Sequence, residues 1–395
     1  LSDDYQFDQI ISRKGTHSIK WEFGKTFLNN DDILPMWVAD MDFPSPPAVV
    51  KAVEERARHG IYGYTGISDE YLNSVVSWMK RRHQWAVDPE EIIFINGVVP
   101  ALNMMMQSFA HPGDYVVIQP PVYYPFFSVI RNNGQLPLLN TLLEGKDGYM
   151  MDFDDLEVKL KNSRTTMMIL CSPHNPVGRV WNKEELLKVA ELCLEHDVLL
   201  VSDEIHQDLV FEGYRHIPTA TLSNEIAMNI ITCTAPSKTF NMAGLQSSNI
   251  MIRDEKKRRV FSQTLERNGV FGMNPFGDVA TIAAYEHGDV WLDALMAYLQ
   301  GNLSYLQNFI THQLPEIKLT SPEATYLAWL DCRSLGLNKS ELEKQLVEKA
   351  GVALNQGHTF GETGAGFVRL NFACPKSILE DGLERIEKAL YVFSR

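Results

Sequence analysis

Cysteine is scarce in this 395-residue chain. There are five, Cys171, Cys193, Cys233, Cys332 and Cys374, and no C-x-x-C pair. An odd, scattered set supplies neither a disulfide framework nor a zinc site, and it fits a reducing cytoplasm. Basic charge is short as well. Lys and Arg number 36 against 50 Asp and Glu, for a net charge of −14. Such a surface offers nothing to a phosphate backbone, so no nucleic-acid partner is expected. No apolar run approaches the roughly 18 residues of a membrane span, so no membrane partner is expected either. The opening LSDDYQFDQII is acidic and lacks the apolar core of a signal peptide. Metal-ligand spacing is also missing. His206 stands two residues after Glu204 and close to Asp203, but no second ligand pair appears, so no metal is expected. Internal repeats, low-complexity tracts and long like-charge blocks are absent.

What remains is ordinary globular composition, 45% hydrophobic and 22% charged, at a length that predicts two domains. Helical periodicity predicts helices over 47–59, 69–83, 98–110 and 183–196. Short apolar runs predict strands over 92–95, 115–119, 166–170, 198–201, 229–234 and 248–252. Strands alternating with helices predict an α/β fold with a mainly parallel, doubly wound sheet, as a large domain over 48–285. From about residue 286 the pattern changes to a long helix over 290–309, strands over 326–331 and 366–372, and helices over 339–350 and 377–393. Together with residues 1–47, this part reads as a smaller α+β domain. The Pro- and aromatic-rich segment LPMWVADMDFPSPP, 34–47, reads as irregular. Its Trp37 and Phe43 ask to be covered.

One stretch organises the functional reading: NIITCTAPSKTFNMAGL, 229–245. A β-branched run breaks at Ala235–Pro236, and Lys238 follows at once. Open α/β sheets hold their ligands at the carboxyl ends of the strands. A lysine there, with a lowered pKa, is suited to a Schiff base with a carbonyl such as pyridoxal phosphate. By itself, Lys238 reads more readily as a solvated surface charge. Asn175 and Asp203 also follow parallel strands, however, and all three should meet at one edge. Pyridoxal phosphate needs such a set: a lysine for the aldehyde, a carboxylate at the pyridine nitrogen, a neutral donor at the phenolate, an aromatic over the ring and a helix N-terminus at the phosphate. Gly97-Val98-Val99 opens a helix with free N–H groups, although it lacks the G-x-G-x-x-G and G-x-x-x-x-G-K patterns. Tyr123 and Tyr124 end another strand. In isolation they read as core, and Gly97 reads equally as a plain strand-to-helix turn.

SPHNPVGRVW, SDEIHQDL and APSKTFNMAGL, in that order, resemble the fold-type I pyridoxal-phosphate enzymes of the aspartate aminotransferase superfamily. LPMWVADMDF, GIYGYTG, GVVPAL, PPVYYPFF and FVRLNFACP are similar to the cystathionine β-lyase/cystalysin group of carbon–sulfur lyases. The resemblance covers nearly the whole chain. It implies pyridoxal 5'-phosphate on Lys238, Asp203 at the pyridine nitrogen, Asn175 at the phenolate oxygen, Tyr123 over the ring with Tyr124 nearby, and Arg369 on the substrate carboxylate. Val98, Val99 and Ser237 would hold the phosphate, His206 would adjoin the cofactor, and Val38 and Ala39 would face the substrate. It further implies a homodimer with shared active sites, in which Tyr64 reaches the phosphate of the neighbouring subunit. Two departures from the wider superfamily stand out. His206 occupies a position that is often tyrosine, as in the carbon–sulfur lyases, and Gln246 occupies one that is often a phosphate-binding arginine. The implied reaction is α,β-elimination of L-cystathionine or a related cysteine S-conjugate to pyruvate, ammonia and a thiol. An aminotransferase on the same scaffold, or a regulatory protein that retains the cofactor, stays open.

Overall fold

A computed structural model of the protein describes residues 5–23, 33–145 and 148–390. Its centre is a seven-stranded sheet: β1 (Ile92–Ile95), β2 (Tyr115–Ile118), β3 (Leu136–Leu139), β4 (Thr165–Cys171), β5 (Leu199–Asp203), β6 (Ile230–Thr234) and β7 (Ser248–Ile252). Across the sheet the order is β1-β7-β6-β5-β4-β2-β3. Only β7 runs antiparallel to its neighbours; the other pairs are parallel. Every residue of β5, β6 and β7 is buried. Helices cover both faces, so these strands read as near-continuous apolar runs rather than as alternating ones.

The register sets up the cleft. Cys171, Asp203 and Cys233 lie level across β4, β5 and β6. The chain therefore leaves all three strands at one edge, which brings the segments carrying Asn175, Asp203 and Lys238 side by side. This is the placement that strand–helix alternation predicts.

Several elements lack a sequence signal. Strand β3, LPLL, contains Pro137, which cannot donate to a ladder; it is tolerated because β3 is the sheet edge. The aromatic cluster after Tyr124 is a helix, Pro125–Asn132. Helices Phe153–Leu160, Glu255–Arg267 and Pro275–His287 were likewise not anticipated. The last packs against the helices Pro47–His59 and Asp69–His83. Its Gly277 instead permits close approach to the turn Ala243–Leu245, since a Cβ there would lie 2.6 Å from the Leu245 carbonyl oxygen. The helix expected over 339–350 is α-helical for Lys339–Lys344 and continues as a π-turn, Gln345–Lys349. The helix expected over 377–393 runs Lys376–Leu390, and residues 391–393 lie outside those described.

A second, antiparallel sheet joins Lys318–Thr320, Leu327–Asp331, Phe367–Asn371 and Asn355–Gln356 in that order. Leu34–Pro35 pairs in parallel with Val352–Ala353, which ties the N-terminal segment to the C-terminal part. Among the described residues, no helix is long and apolar enough to cross a membrane.

Candidate active site

Lys238 sits in a one-turn helix, Pro236–Thr239, directly after β6. Proline at the first helical position fixes φ where no N–H is needed, so the turn starts abruptly. The Lys238 amine donates to the Ala39 carbonyl at 2.7 Å. The side chain is half-buried by area, and Lys238 lines the cleft. Burial lowers its pKa to about 8, helped by the Arg369 charge and opposed by Asp40 and Asp203. A base is thereby available near neutral pH.

Asp203 ends β5 and is 4% exposed. Its carboxylate accepts the Ile205 N–H at 3.2 Å. Among the described residues, no Lys, Arg or His nitrogen lies within 4.0 Å of it. Burial pushes its pKa up to about 7, against the Ile205 hydrogen bond and the Lys238 charge. A buried carboxylate without a cation is costly, and the cost falls when a protonated nitrogen is brought to it.

Arg369 presents the opposite imbalance. It is 2% exposed and donates to Asn175 Oδ1 at 3.0 Å, to the Trp37 carbonyl at 2.9 Å and to Asn355 Oδ1. Its Nε has no partner. The Phe360 ring lies 4.9 Å from the guanidinium carbon. Burial lowers its pKa to about 10, while the Tyr124, Tyr123 and Tyr326 phenols oppose the shift. Among the described residues no carboxylate pairs with it. A buried guanidinium held in this way is preorganised for an incoming carboxylate.

Lys238 and Asp203 line a cavity of about 190 Å³. Its lining includes Ala39, Val98, Val99, Tyr123, Asn175, Asp203, His206, Ser237 and Lys238. Gly97 caps the helix Val98–Phe109 at φ 135° and provides no capping side chain, so the first N–H groups face the cavity bare. His206 is fully enclosed and its Nδ1 is unpartnered. Burial drives its pKa down to about 3, with Lys238 and Arg369 adding to the shift, so the ring is neutral. Burial raises the Tyr123 phenol well above its ordinary range, so it too is uncharged. Arg369 and Tyr124 stand behind this lining. Arg369 reaches it through Asn175, and Tyr124 is 42% exposed with its ring against Phe360. Val38, expected to face the substrate, is not part of this lining; its carbonyl accepts from Asn371 Nδ2 at 2.6 Å. Tyr64 is not in this cavity; it is 98% exposed.

Residues 31–386 match the family model for aminotransferase class I and II. The chain belongs to that family. It is 49% identical over 384 residues to cystathionine beta-lyase PatB of Bacillus subtilis, covering 97% of this chain and 99% of that protein. It is 35% identical to protein MalY of Escherichia coli, covering 98% and 99%. Among solved structures, cystalysin from Treponema denticola, which contains a pyridoxal 5'-phosphate cofactor, superposes with a TM-score of 0.96 at 38% identity, covering 98% and 99%.

In this member of the aminotransferase class I and II family, the segment 37–43 is a strap beside the cleft, its Trp37 and Ala39 carbonyls accepting from Arg369 and Lys238. Asn371 Nδ2 also donates to the Asp40 carbonyl at 2.6 Å. Asn241 accepts the Met41 N–H at 2.9 Å and donates to the Met41 and Phe43 carbonyls. Tyr326, fully buried, donates to the Ala39 carbonyl at 2.9 Å. Sequence reasoning gave no role to Asn241, Asn355, Asn371 or Tyr326. Asn241 and Asn371 lie inside FNMAGL and VRLN, so a signal was present for them. Tyr326 and Asn355 carried none. Gln246, in place of the common arginine, is at φ 52° on the cavity rim. Among the described residues, no cluster of three His, Cys, Asp or Glu could hold a metal ion.

Proposed function

We propose that this protein is a pyridoxal-phosphate-dependent carbon–sulfur β-lyase. It acts on L-cystathionine or a related cysteine S-conjugate and releases pyruvate, ammonia and a thiol. The observation that carries the reading is a charge arrangement around one cleft: a base at Lys238, an acid without a cation at Asp203 and a cation without an acid at Arg369. This arrangement occurs in a chain 49% identical to a cystathionine β-lyase.

The residues fit the cofactor. Asp203 lacks the cation that a pyridinium nitrogen would provide. The bare N–H groups of Val98 and Val99, with Ser237, form an anion cradle at a helix N-terminus. Asn175 and the neutral His206 would serve the phenolate side, and Tyr123 the ring face. When bound, pyridoxal phosphate supplies an aldehyde for the substrate amine and a ring that accepts electron density from Cα.

The protein's own work is then to orient and to move protons. Arg369 takes the substrate carboxylate in two parallel hydrogen bonds, which fixes the rotation of the bonds at Cα. Lys238 gives up the Ala39 carbonyl and removes the Cα proton. Asp203 keeps a proton at the ring nitrogen through this step, so negative charge developing at Cα is stabilised. The Cβ–S bond breaks with its electron pair on sulfur, and the thiolate leaves. Water completes the conversion of the three-carbon fragment to pyruvate and ammonia.

Tyr64 belongs to the same proposal. It stands 98% exposed beside Phe271, itself 74% exposed, and near the half-exposed Tyr62. An apolar patch of this kind supports burial against a second copy. In the resulting homodimer, Tyr64 of one copy completes the phosphate site of the other, where Gln246 leaves the phosphate short of a cation. The five unpaired, buried cysteines support a cytoplasmic location.

A second reading, transamination, is favoured by the family model itself. The two part at the fate of one carbanion. Loss of a group from Cβ needs no keto acid; transamination requires one. The purified holoenzyme given L-cystathionine alone should release pyruvate, ammonia and thiol in equal amounts. A kcat/KM at least tenfold higher for amino acid with 2-oxoglutarate would replace the lyase reading; that ratio is about 1.4 kcal/mol in barrier.

A further inference from the structure

A buried carboxylate that the reaction does not use lies behind the cleft. Asp208 follows the segment bearing Asp203 and His206, and its side chain is 1% exposed. It receives Thr239 Oγ1 on Oδ2 at 2.7 Å and Trp78 Nε1 on Oδ1 at 3.1 Å. His83 Nε2 lies 2.7 Å from Oδ1. Burial penalises this charge, but the His83 hydrogen bond and charge, with hydrogen bonds from Thr239 and Trp78, hold the carboxyl below its ordinary pKa.

Each partner has a place in the fold. Thr239 directly follows Lys238. Trp78 and His83 lie on the helix Asp69–His83. Trp78 also packs edge-on to Phe240, the residue after Thr239, at 5.4 Å, and stacks on Tyr285 at 5.2 Å. The turn carrying Lys238 is four residues long and has no capping side chain. A turn this short has little stability of its own. On the Asp203 side a second dyad braces the wall. Glu204 Oε2 lies 2.9 Å from His216 Nε2, and Glu204 Oε1 accepts from Ser202 and from the Thr219 N–H. The His83 and His216 rings meet edge to face at 5.8 Å.

We propose that Asp208 is a positioning residue that ties the Lys238 turn, through Thr239, to the strand end carrying Asp203 and His206. Lys238 must exchange partners in every turnover, and its flexible stem provides that motion. The backbone beneath it must then stay fixed, or the amine's reach to Cα varies from cycle to cycle. A single charged acceptor gathering Thr239, Trp78 and His83 supplies that fixture. The inference rests on the reading of Lys238 as the lysine that carries the cofactor.

The test compares Thr239→Val with Thr239→Ser. Valine keeps the shape and removes the donor; serine restores the donor. Thr239→Val should lower kcat about tenfold to a hundredfold, the scale of a small misplacement of a reacting group, with KM within twofold. It should also slow the capture of pyridoxal phosphate by the apoprotein, followed by absorbance and by borohydride trapping at Lys238. Thr239→Ser should recover both rates to within about threefold. If Thr239→Val does not fold, judged by apoprotein thermal unfolding, Trp78→Phe removes a different donor from the same carboxylate and makes the same comparison. Unchanged kcat and capture rate in the valine variant overturn the proposal, as does a serine variant as impaired as valine. A label away from Lys238 in the unmodified protein overturns the functional reading instead, so the two failures are distinct.

Discussion

Asp203→Asn should stabilise the cofactor-free protein and disable it. In the apoprotein, Asp203 is enclosed without a cation and its pKa is pushed up to about 7 from 3.8. Below about pH 3.8 the carboxyl is protonated in both folded and unfolded chains and contributes no difference. Between about 3.8 and 7 the unfolded chain has lost the proton while the folded chain keeps it. Folding stability therefore falls as pH rises through that window and levels off above it. About three units at about 1.4 kcal/mol each set a ceiling of roughly 4 kcal/mol, and relaxation of the cleft brings the expectation to about 2–4 kcal/mol. The amide is neutral throughout, so it removes this penalty. The assay is denaturant unfolding of both apoproteins from pH 4 to 8. The Asn variant should gain on the parent steadily up to about pH 7 and keep a constant lead above it. Adding pyridoxal phosphate should narrow the lead, because a pyridinium nitrogen compensates Asp203 and not the amide. Curves that stay parallel across the whole range would refute the claim that Asp203 is an uncompensated buried acid. Exchange of the substrate α-proton should also fall by about a hundredfold or more in the variant.

Arg369→Lys replaces a planar fork by a point charge and also abandons the bonds to Asn175 and Trp37. KM for the amino acid should rise about tenfold to a hundredfold, the worth of a charge-assisted hydrogen bond, as read by initial rates. Gly97→Ala places a side chain at φ 135°, with its Cβ 3.3 Å from Pro100 Cδ. Strain of about 1–3 kcal/mol at the phosphate cradle should weaken cofactor affinity, measured by fluorescence titration of the apoprotein. Mixing Tyr64→Ala with Lys238→Ala protein, each nearly inactive, should restore activity as hybrid dimers form with one intact site. Hybrids that form without activity would contradict the shared site.

The parts of the site that could be read beforehand were those set by the sheet. A parallel sheet has one carboxyl edge, so Asn175, Asp203 and Lys238 could be brought together without coordinates. Motif resemblance then pointed to Arg369, which bonds Asn175 of the cavity lining, and to Tyr64, which lies outside that cavity. What escaped was held by tertiary contact alone. Tyr326 reads as an ordinary core tyrosine until its hydroxyl is seen on the Ala39 carbonyl. The 37–43 strap looks irregular because its order comes from Asn241 and Asn371, some 200 and 330 positions away. Helix Pro275–His287 lacks a clear polar face because it is packed against two other helices, and Gly277, which weakens its local signal, is there to let the Leu245 carbonyl approach. Tyr64 has no place in the cavity of its own chain, which is why a single copy leaves its role unexplained.

The most direct test of the account is borohydride reduction of the cofactor-loaded protein, followed by peptide mapping. Two lysine amines stand out among the described residues. Lys20 is 1% exposed and is spent on Asp42 at 2.7 Å, with Asp40 at 3.6 Å. Lys238 has only the Ala39 carbonyl as its close partner and a pKa lowered to about 8. The account predicts one labelled peptide, carrying the modification on Lys238, and no label in a Lys238→Ala variant. A stoichiometric label on Lys20 or any other lysine would contradict it.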